Sequence, residues 1–211
     1  MNVKTVAIVD DATTYGQGLA NEFEKAIKKL GVQVVSRDAT NDKAVDFSAI
    51  LTKIKSKNPD VIMFGGADAG AGPFAKQARQ LGVRATIVGG DGICTEKLAE
   101  LAGSAAEKVV CSEAGLPIEK MSGGNEFQAK FVKRFGKPVQ AYAPYNYDAV
   151  YVIVDAMKRA NSVNKEKILA VMPATKFRGI TGDISFDGKG DLSHGTISML
   201  TYIAGKKKPI D

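Results

Sequence analysis

The side chains best placed for chemistry lie where apolar runs give way to polar or glycine-rich loops: Asp10 to Gly16, Gly65 to Gly72, Gly89 to Cys94 and Ser112 to Gly115. Glycine lets a ligand approach the backbone and leaves N–H groups at a helix start open, which suits a carboxylate, a phosphate or a sugar equally. The same glycines also serve tight turns, so both roles stay open. Catalytic sets fare worse. The single histidine, His194, lies far from these loops in sequence, and a Ser-His-Asp or Cys-His set would have to recruit it across the fold. Two cysteines and one histidine, widely separated, argue against a zinc site. No Gly-x-x-x-x-Gly-Lys-Ser/Thr run occurs, and neither the loop from Gly65 nor the first turn, with only Gly16 and Gly18 after a tyrosine, carries Gly-x-Gly-x-x-Gly. The expectation is a binding site with no cofactor, no metal and no catalytic residue.

The elements that position these loops follow from periodicity. Val3 to Val9 is a β-branched run; Leu19, Phe23, Ile27 and Leu30 then place one stripe on a helix ending at Gly31. Val32 to Val35 restarts a strand, and Phe47, Ile50, Leu51 and Ile54 form the next helical stripe, stopped by Asn58 and Pro59. Val61 to Phe64, then Phe74, Ala78 and Leu81, repeat the rhythm; Thr86 to Val88, a helix through Leu98 and Leu101 capped by Thr95, and Val109 to Cys111 complete it. Strands alternating with helices predict an α/β fold: a parallel sheet with helices on both faces and its ligand crevice outside the carboxyl ends of the strands. After Gly115 the pattern changes. Phe127, Phe131 and Phe135 share one helix face, Tyr147, Val150, Val154 and Met157 mark a second helix, and Ile168, Leu169 and Met172 a third. A hairpin of Gly182 to Phe186 with Ile197 to Ile203, turning through Asp187 to Gly190, and a basic tail of Lys206, Lys207 and Lys208 are expected at the end.

Composition narrows the classes. A chain of 211 residues, 45% hydrophobic and 25% charged, can bury a sizeable core, which excludes disordered and fibrous proteins. No apolar run is long enough for a spanning helix, and the N-terminus lacks a charged stretch followed by an apolar one, so no export signal is expected in this sequence. The net charge of +6 arises from dispersed lysines such as Lys25, Lys28, Lys29, Lys53, Lys55 and Lys57. Dispersed charge of this kind is a solvated surface, and with no Trp and 7% aromatics no nucleic-acid partner is expected.

Two resemblances arise at the strand-end loops. Asp10-Asp11 is similar to the acidic pair of response-regulator receiver domains, but Asp68 is displaced from the end of the third strand, and Lys137-Pro138 follows a helix where that family has a strand. The second resemblance spans the chain. Val6 to Asp11 with Thr14-Tyr15-Gly16-Gln17-Gly18-Leu19, Asp46-Phe47-Ser48, Pro59-Asp60-Val61-Ile62, Phe64-Gly65-Gly66, Gln77-Ala78-Arg79, Gly89 to Gly92, Leu101 to Glu107, and Gly182 to Asp191 occur in this order. In that order they resemble the second lobe of periplasmic leucine/isoleucine/valine-binding proteins, the solute receptors of branched-chain amino-acid ABC transporters.

The resemblance implies a type I periplasmic-binding-protein lobe of flavodoxin-like strand order, an amino acid or related zwitterion as ligand, an ABC permease as partner, and a periplasmic location for the full-length protein. It implies a ligand site of Tyr15, lying against the amino acid; Asp91, receiving the α-ammonium by a charge-assisted hydrogen bond; Ala67, where relatives place an aromatic, with Asp68 able to add a polar contact; and Tyr142, lining the pocket from the other lobe. Packing of Tyr15 over its turn and helix capping by Asp91 remain alternatives. By the same resemblance the chain lacks a first lobe: residues 1–116 would form the carboxyl-terminal lobe, 117–190 a helical return segment belonging to the other lobe, and 191–211 the final strand and tail. Ligand binding by this chain alone is then expected to be weak or lost, and apolar faces around Phe127, Phe131, Phe135, Val150 and Val154 to pack back or to form a homodimer. Receiver-like signalling and a sensory ligand-binding module are the alternative functions. Cys94 and Cys111, at neighbouring strand ends, could form a disulfide in an oxidising compartment or remain two buried thiols in a reducing one.

Overall fold

The computed structural model describes residues 3–210, which form two compact units: residues up to 113 with those from 199 onward, and residues 114–198. The sequence reading sets these changes at 116 and 190.

The first unit is built on β1 (Thr5–Asp10), β2 (Gln33–Ala39), β3 (Val61–Gly65), β4 (Thr86–Gly89) and β5 (Val109–Ala114), alternating with α1 (Thr14–Lys29), α2 (Ser48–Lys57), α3 (Asp68–Gln80) and α4 (Glu96–Ala102). The strand order is β2-β1-β3-β4-β5, and β1–β2, β1–β3, β3–β4 and β4–β5 all pair in parallel. This is the flavodoxin-like order that brings the carboxyl ends of β1, β3 and β4 side by side. β3 is buried throughout, which explains its unbroken apolar run: helices cover both faces of a parallel sheet. One core, under α2, α3 and α4, packs Leu51, Ile54, Ile62, Leu98 and the rings of Phe47, Phe64 and Phe74, with centroids 4.9–6.5 Å apart. The other, under α1, contains Val6, Ile8, Ala20, Ile27, Val61 and Met63. The Asp60 carboxylate ties the start of β3 to β1 by accepting from the Lys4 and Thr5 N–H groups, at 2.8 and 2.9 Å.

The second unit holds α5 (Gly124–Phe135), α6 (Ala143–Ala160), α7 (Lys165–Val171) and the two-residue strands β6 (Phe177–Arg178) and β7 (Asp183–Ile184). Asp148 is buried on α6 and accepts from the N–H groups of Ile180 and Thr181, at 3.0 and 2.8 Å, and from the Thr181 hydroxyl. A buried carboxylate with three donors fixes the turn between β6 and β7 against that helix. Phe127 packs on Phe131 and Tyr147, and Phe131 on Phe135.

The end of the chain differs from the sequence expectation. β7 pairs with β6 and not with the strand at Ile197, while Asp187 closes its own turn by accepting from the N–H groups of Lys189 and Asp191. β8 (Ile197–Ile203) lies next to β5 in the seven-stranded sheet, and its antiparallel partner is β9 (Lys206–Pro209), the stretch read as a basic tail. Ala204 and Gly205 connect them, both at positive φ (50° and 73°), as a two-residue hairpin turn requires. Lysine is a usual residue of an edge strand, where it discourages further pairing, and here the lysines alternate: Lys207 turns inward, Lys206 and Lys208 outward.

Candidate functional site

At the end of β1 the two adjacent carboxylates take different partners. Asp10, buried, forms an ion pair with Arg37 of β2 at 2.5 Å and accepts from Ala12 N–H at 3.0 Å. Asp11, also buried, accepts from the N–H and hydroxyl of Thr13, at 3.0 and 2.5 Å, and the Thr13 hydroxyl in turn accepts from Gly16 N–H to cap α1. Both carboxylates are engaged by protein groups, and among the described residues no group of three or more His, Cys, Asp or Glu could hold a metal ion. Asp68 lies in the first turn of α3, with its carboxylate 2.6 Å from the Thr95 hydroxyl. The acidic geometry of a receiver domain is therefore not what these residues build.

Tyr15 and Asp91 are brought together from 76 positions apart. Tyr15, in the first turn of α1, donates its hydroxyl to an Asp91 carboxylate oxygen at 3.0 Å and accepts from Gly92 N–H at 3.1 Å. Burial pushes the Tyr15 phenol up to about 12; the Asp91 and Asp11 carboxylates add to the rise, and the Gly92 hydrogen bond opposes it. Gly90 and Gly92 are needed for this approach, because a Cβ on either would sit within 3.0 Å of the Tyr15 hydroxyl. Tight contact thus explains these two glycines. Asp91 starts a short 3₁₀ turn, Asp91–Ile93, and does not cap α4: that cap is the Thr95 hydroxyl, accepting from Leu98 N–H at 3.1 Å.

Ala67 is the residue before α3 and is exposed. Tyr142 belongs to the second unit, where it precedes α6; it is half exposed, and its carbonyl accepts from the Asn146 side-chain amide at 3.0 Å. Cys94 and Cys111 are joined in a disulfide with Cα atoms 5.4 Å apart. Cys111 sits within β5, opposite Gly89, and not at the strand's end as the periodicity suggested. Sequence reasoning missed Arg37, Tyr202 and Lys207. Tyr202, buried on β8, donates to the carbonyls of Ile93 and Thr95, and Lys207 reaches the Cys94 carbonyl and Glu113.

A parallel sheet in this order, an antiparallel terminal hairpin beside it, and polar groups gathered at the carboxyl ends of β1 and β4 define a lobe of a type I periplasmic binding protein. The periplasmic binding protein family matches residues 1–205, and the chain belongs to it. It is 34% identical over 205 residues to Leu/Ile/Val-binding protein homolog 2 of Brucella abortus, covering 95% of this chain and 54% of that protein. It is 30% identical over 193 residues to the leucine-, isoleucine-, valine-, threonine- and alanine-binding protein of Pseudomonas aeruginosa, covering 90% of this chain and 51% of that protein. Among solved structures, the leucine-binding protein LivK of Thermotoga maritima superimposes with a TM-score of 0.91 at 30% identity, covering 99% of this chain and 60% of that one. LivJ of Streptococcus pneumoniae, in complex with isoleucine, gives 0.83 at 26% identity, with 99% and 60% covered. The chain spans about half the length of the curated relatives it matches. These relatives are substrate-binding proteins, and among the described residues no helix is long and apolar enough to cross a membrane.

Proposed function

We propose that this chain forms the carboxyl-terminal lobe, with part of the return segment, of a periplasmic receptor that delivers a branched-chain or related amino acid to an ABC permease, and that it works by binding and not by catalysis. The observation that carries the reading is the Tyr15–Asp91–Gly92 cluster, which presents one carboxylate and one aromatic ring at the carboxyl ends of β1 and β4, the strands that flank β3. Asp91 would receive the ligand's α-ammonium, a charge-assisted bond that gains strength in a partly dry cleft. Tyr15 would lie against the ligand and hold that carboxylate in place. Ala67 would leave room for the side chain, while Asp68, engaged by Thr95, would act through α4 and not on the ligand directly. Tyr142 would contribute a further aromatic contact to the ligand. Hinge closure about the zwitterion would then favour the state the permease engages.

A chain spanning 54% of a relative's length would carry only part of the groups that hold an amino acid, so alone it should bind weakly. Calorimetry with leucine, isoleucine and valine tests this: millimolar or undetectable affinity is expected, and micromolar affinity of these 211 residues would overturn it. The exposed face of α6 would also let two copies of this chain associate.

A further inference from the structure

The turn that carries Asp91 is held from behind. Three consecutive carbonyls that follow it, those of Ile93, Cys94 and Thr95, all receive hydrogen bonds from the terminal hairpin: Tyr202 donates to Ile93 and Thr95 at 3.0 and 2.8 Å, and Lys207 to Cys94 at 3.0 Å. The Cys94 side chain is bonded to Cys111 of β5. The Lys207 ammonium is in addition 2.7 Å from Glu113 and 3.4 Å from Glu96, with its side chain only 13% exposed. Burying that cation costs desolvation energy which its pairs offset only with good geometry, so stability alone gives little reason to have lysine there. What the lysine supplies, and an apolar side chain could not, is direction: it fixes one carbonyl relative to β5 and β9. Tyr202 is fully buried, and burial pushes its phenol pKa up, so at neutral pH it remains a donor.

We infer that Tyr202 and Lys207, with the Cys94–Cys111 bridge, are positioning residues: they set the Ile93–Thr95 backbone and thereby hold the Asp91 carboxylate and Gly92 N–H against the Tyr15 hydroxyl. The terminal hairpin is thus part of the binding apparatus. The positional claim stands on the geometry alone; its consequence for an amino-acid ligand rests on the function proposed for Asp91.

The test measures amide hydrogen exchange at Gly92 and the titration of Tyr15 in the whole chain, comparing wild type with Tyr202→Phe, Lys207→Met and the double variant. Loss of the Lys207 bond and of the Tyr202 proton shared between two carbonyls should speed Gly92 exchange about tenfold or more in the double variant, while amides of β1 exchange no faster than the fall in global stability requires. The Tyr15 phenol should shift from about 12, because the Asp91 carboxylate and the Gly92 N–H that act on it are both displaced when the turn loosens. Reducing the disulfide of the wild type with a dithiol should act in the same direction, which covers the case of a variant that folds poorly. Unchanged Gly92 exchange, or an equal rise at Gly92 and throughout β1, would overturn the inference. In the full-length protein, leucine affinity should fall about tenfold in the double variant. Asp91→Asn separates the two claims. If it leaves leucine binding intact while Gly92 still responds to the hairpin variants, the ligand role fails and the positional role stands. If it abolishes binding while Gly92 ignores those variants, the positional role fails.

Discussion

Asp10 ends β1 and Asp11 is the first residue beyond it, and their carboxylates take different partners, Arg37 for the one and Thr13 for the other. The Asp11 carboxylate lies close under Gly16 and Gly66, where any Cβ would collide with it, and joins the β1 loop to the β3 loop. Asp11→Ala should destabilise the chain by about 1–3 kcal/mol, since two donors of Thr13 lose their acceptor; denaturant unfolding would show it as a lower midpoint at constant slope. Tyr15 provides a pH signature. Its folded-state value of about 12 lies above the ordinary 10, so the fold favours the protonated phenol. That contribution is complete below pH 10 and is lost as pH rises through 12, and Tyr15→Phe should therefore flatten the stability loss between those limits. Equal alkaline slopes for wild type and variant would count against it. At this scale the sequence was only partly legible. Asp91 and Tyr15 stood out because strand ends collect polar groups, but Thr95 meets Asp68 across 27 positions, a pairing set by how the ends of β3 and β4 abut and by nothing local.

The alternating strands and helices could be read directly because each buried parallel strand is an unbroken apolar run and each helix carries its own stop, such as Asn58 at φ 45° followed by Pro59. The terminal hairpin could not. A strand of three lysines and a proline has no apolar pattern, and Ala204-Gly205 lacks the Asn or Asp that usually marks such a turn; its pairing is dictated by the open edge of β8 and by Lys207 finding Glu113. The disulfide belongs to this scale too, since it closes a loop of 17 residues that carries all of α4. Closing a loop of that length in the unfolded chain is worth about 3 kcal/mol, so Cys94→Ala with Cys111→Ala should lower unfolding stability by roughly that amount. Identical denaturation curves for oxidised and reduced protein would mean the bridge constrains only the native turn.

For the whole molecule, the ordered succession of short motifs identifies the family while each motif alone does not, because the order reflects the topology and a single glycine pair does not. The helices after Gly115 show the complementary limit: their apolar faces were legible, but not what covers them. Tyr147, Val150, Tyr151 and Val154 fall at i, i+3, i+4 and i+7 along α6, and all four are exposed, Val150 by 59%. A monomer seldom leaves such a stripe in water, and a second copy of the chain offers the same stripe for self-complementary packing. Sedimentation of these 211 residues should therefore show mass rising with concentration. Val150→Glu with Val154→Glu should return the chain to a monomer without loss of helix content, because neither side chain is buried in the unit's own core. Wild type that stays monomeric at the highest concentration reached, with α6 amides as protected as those of β1, would mean that the stripe tolerates solvent. Association that survives both glutamates would move the contact elsewhere on the surface.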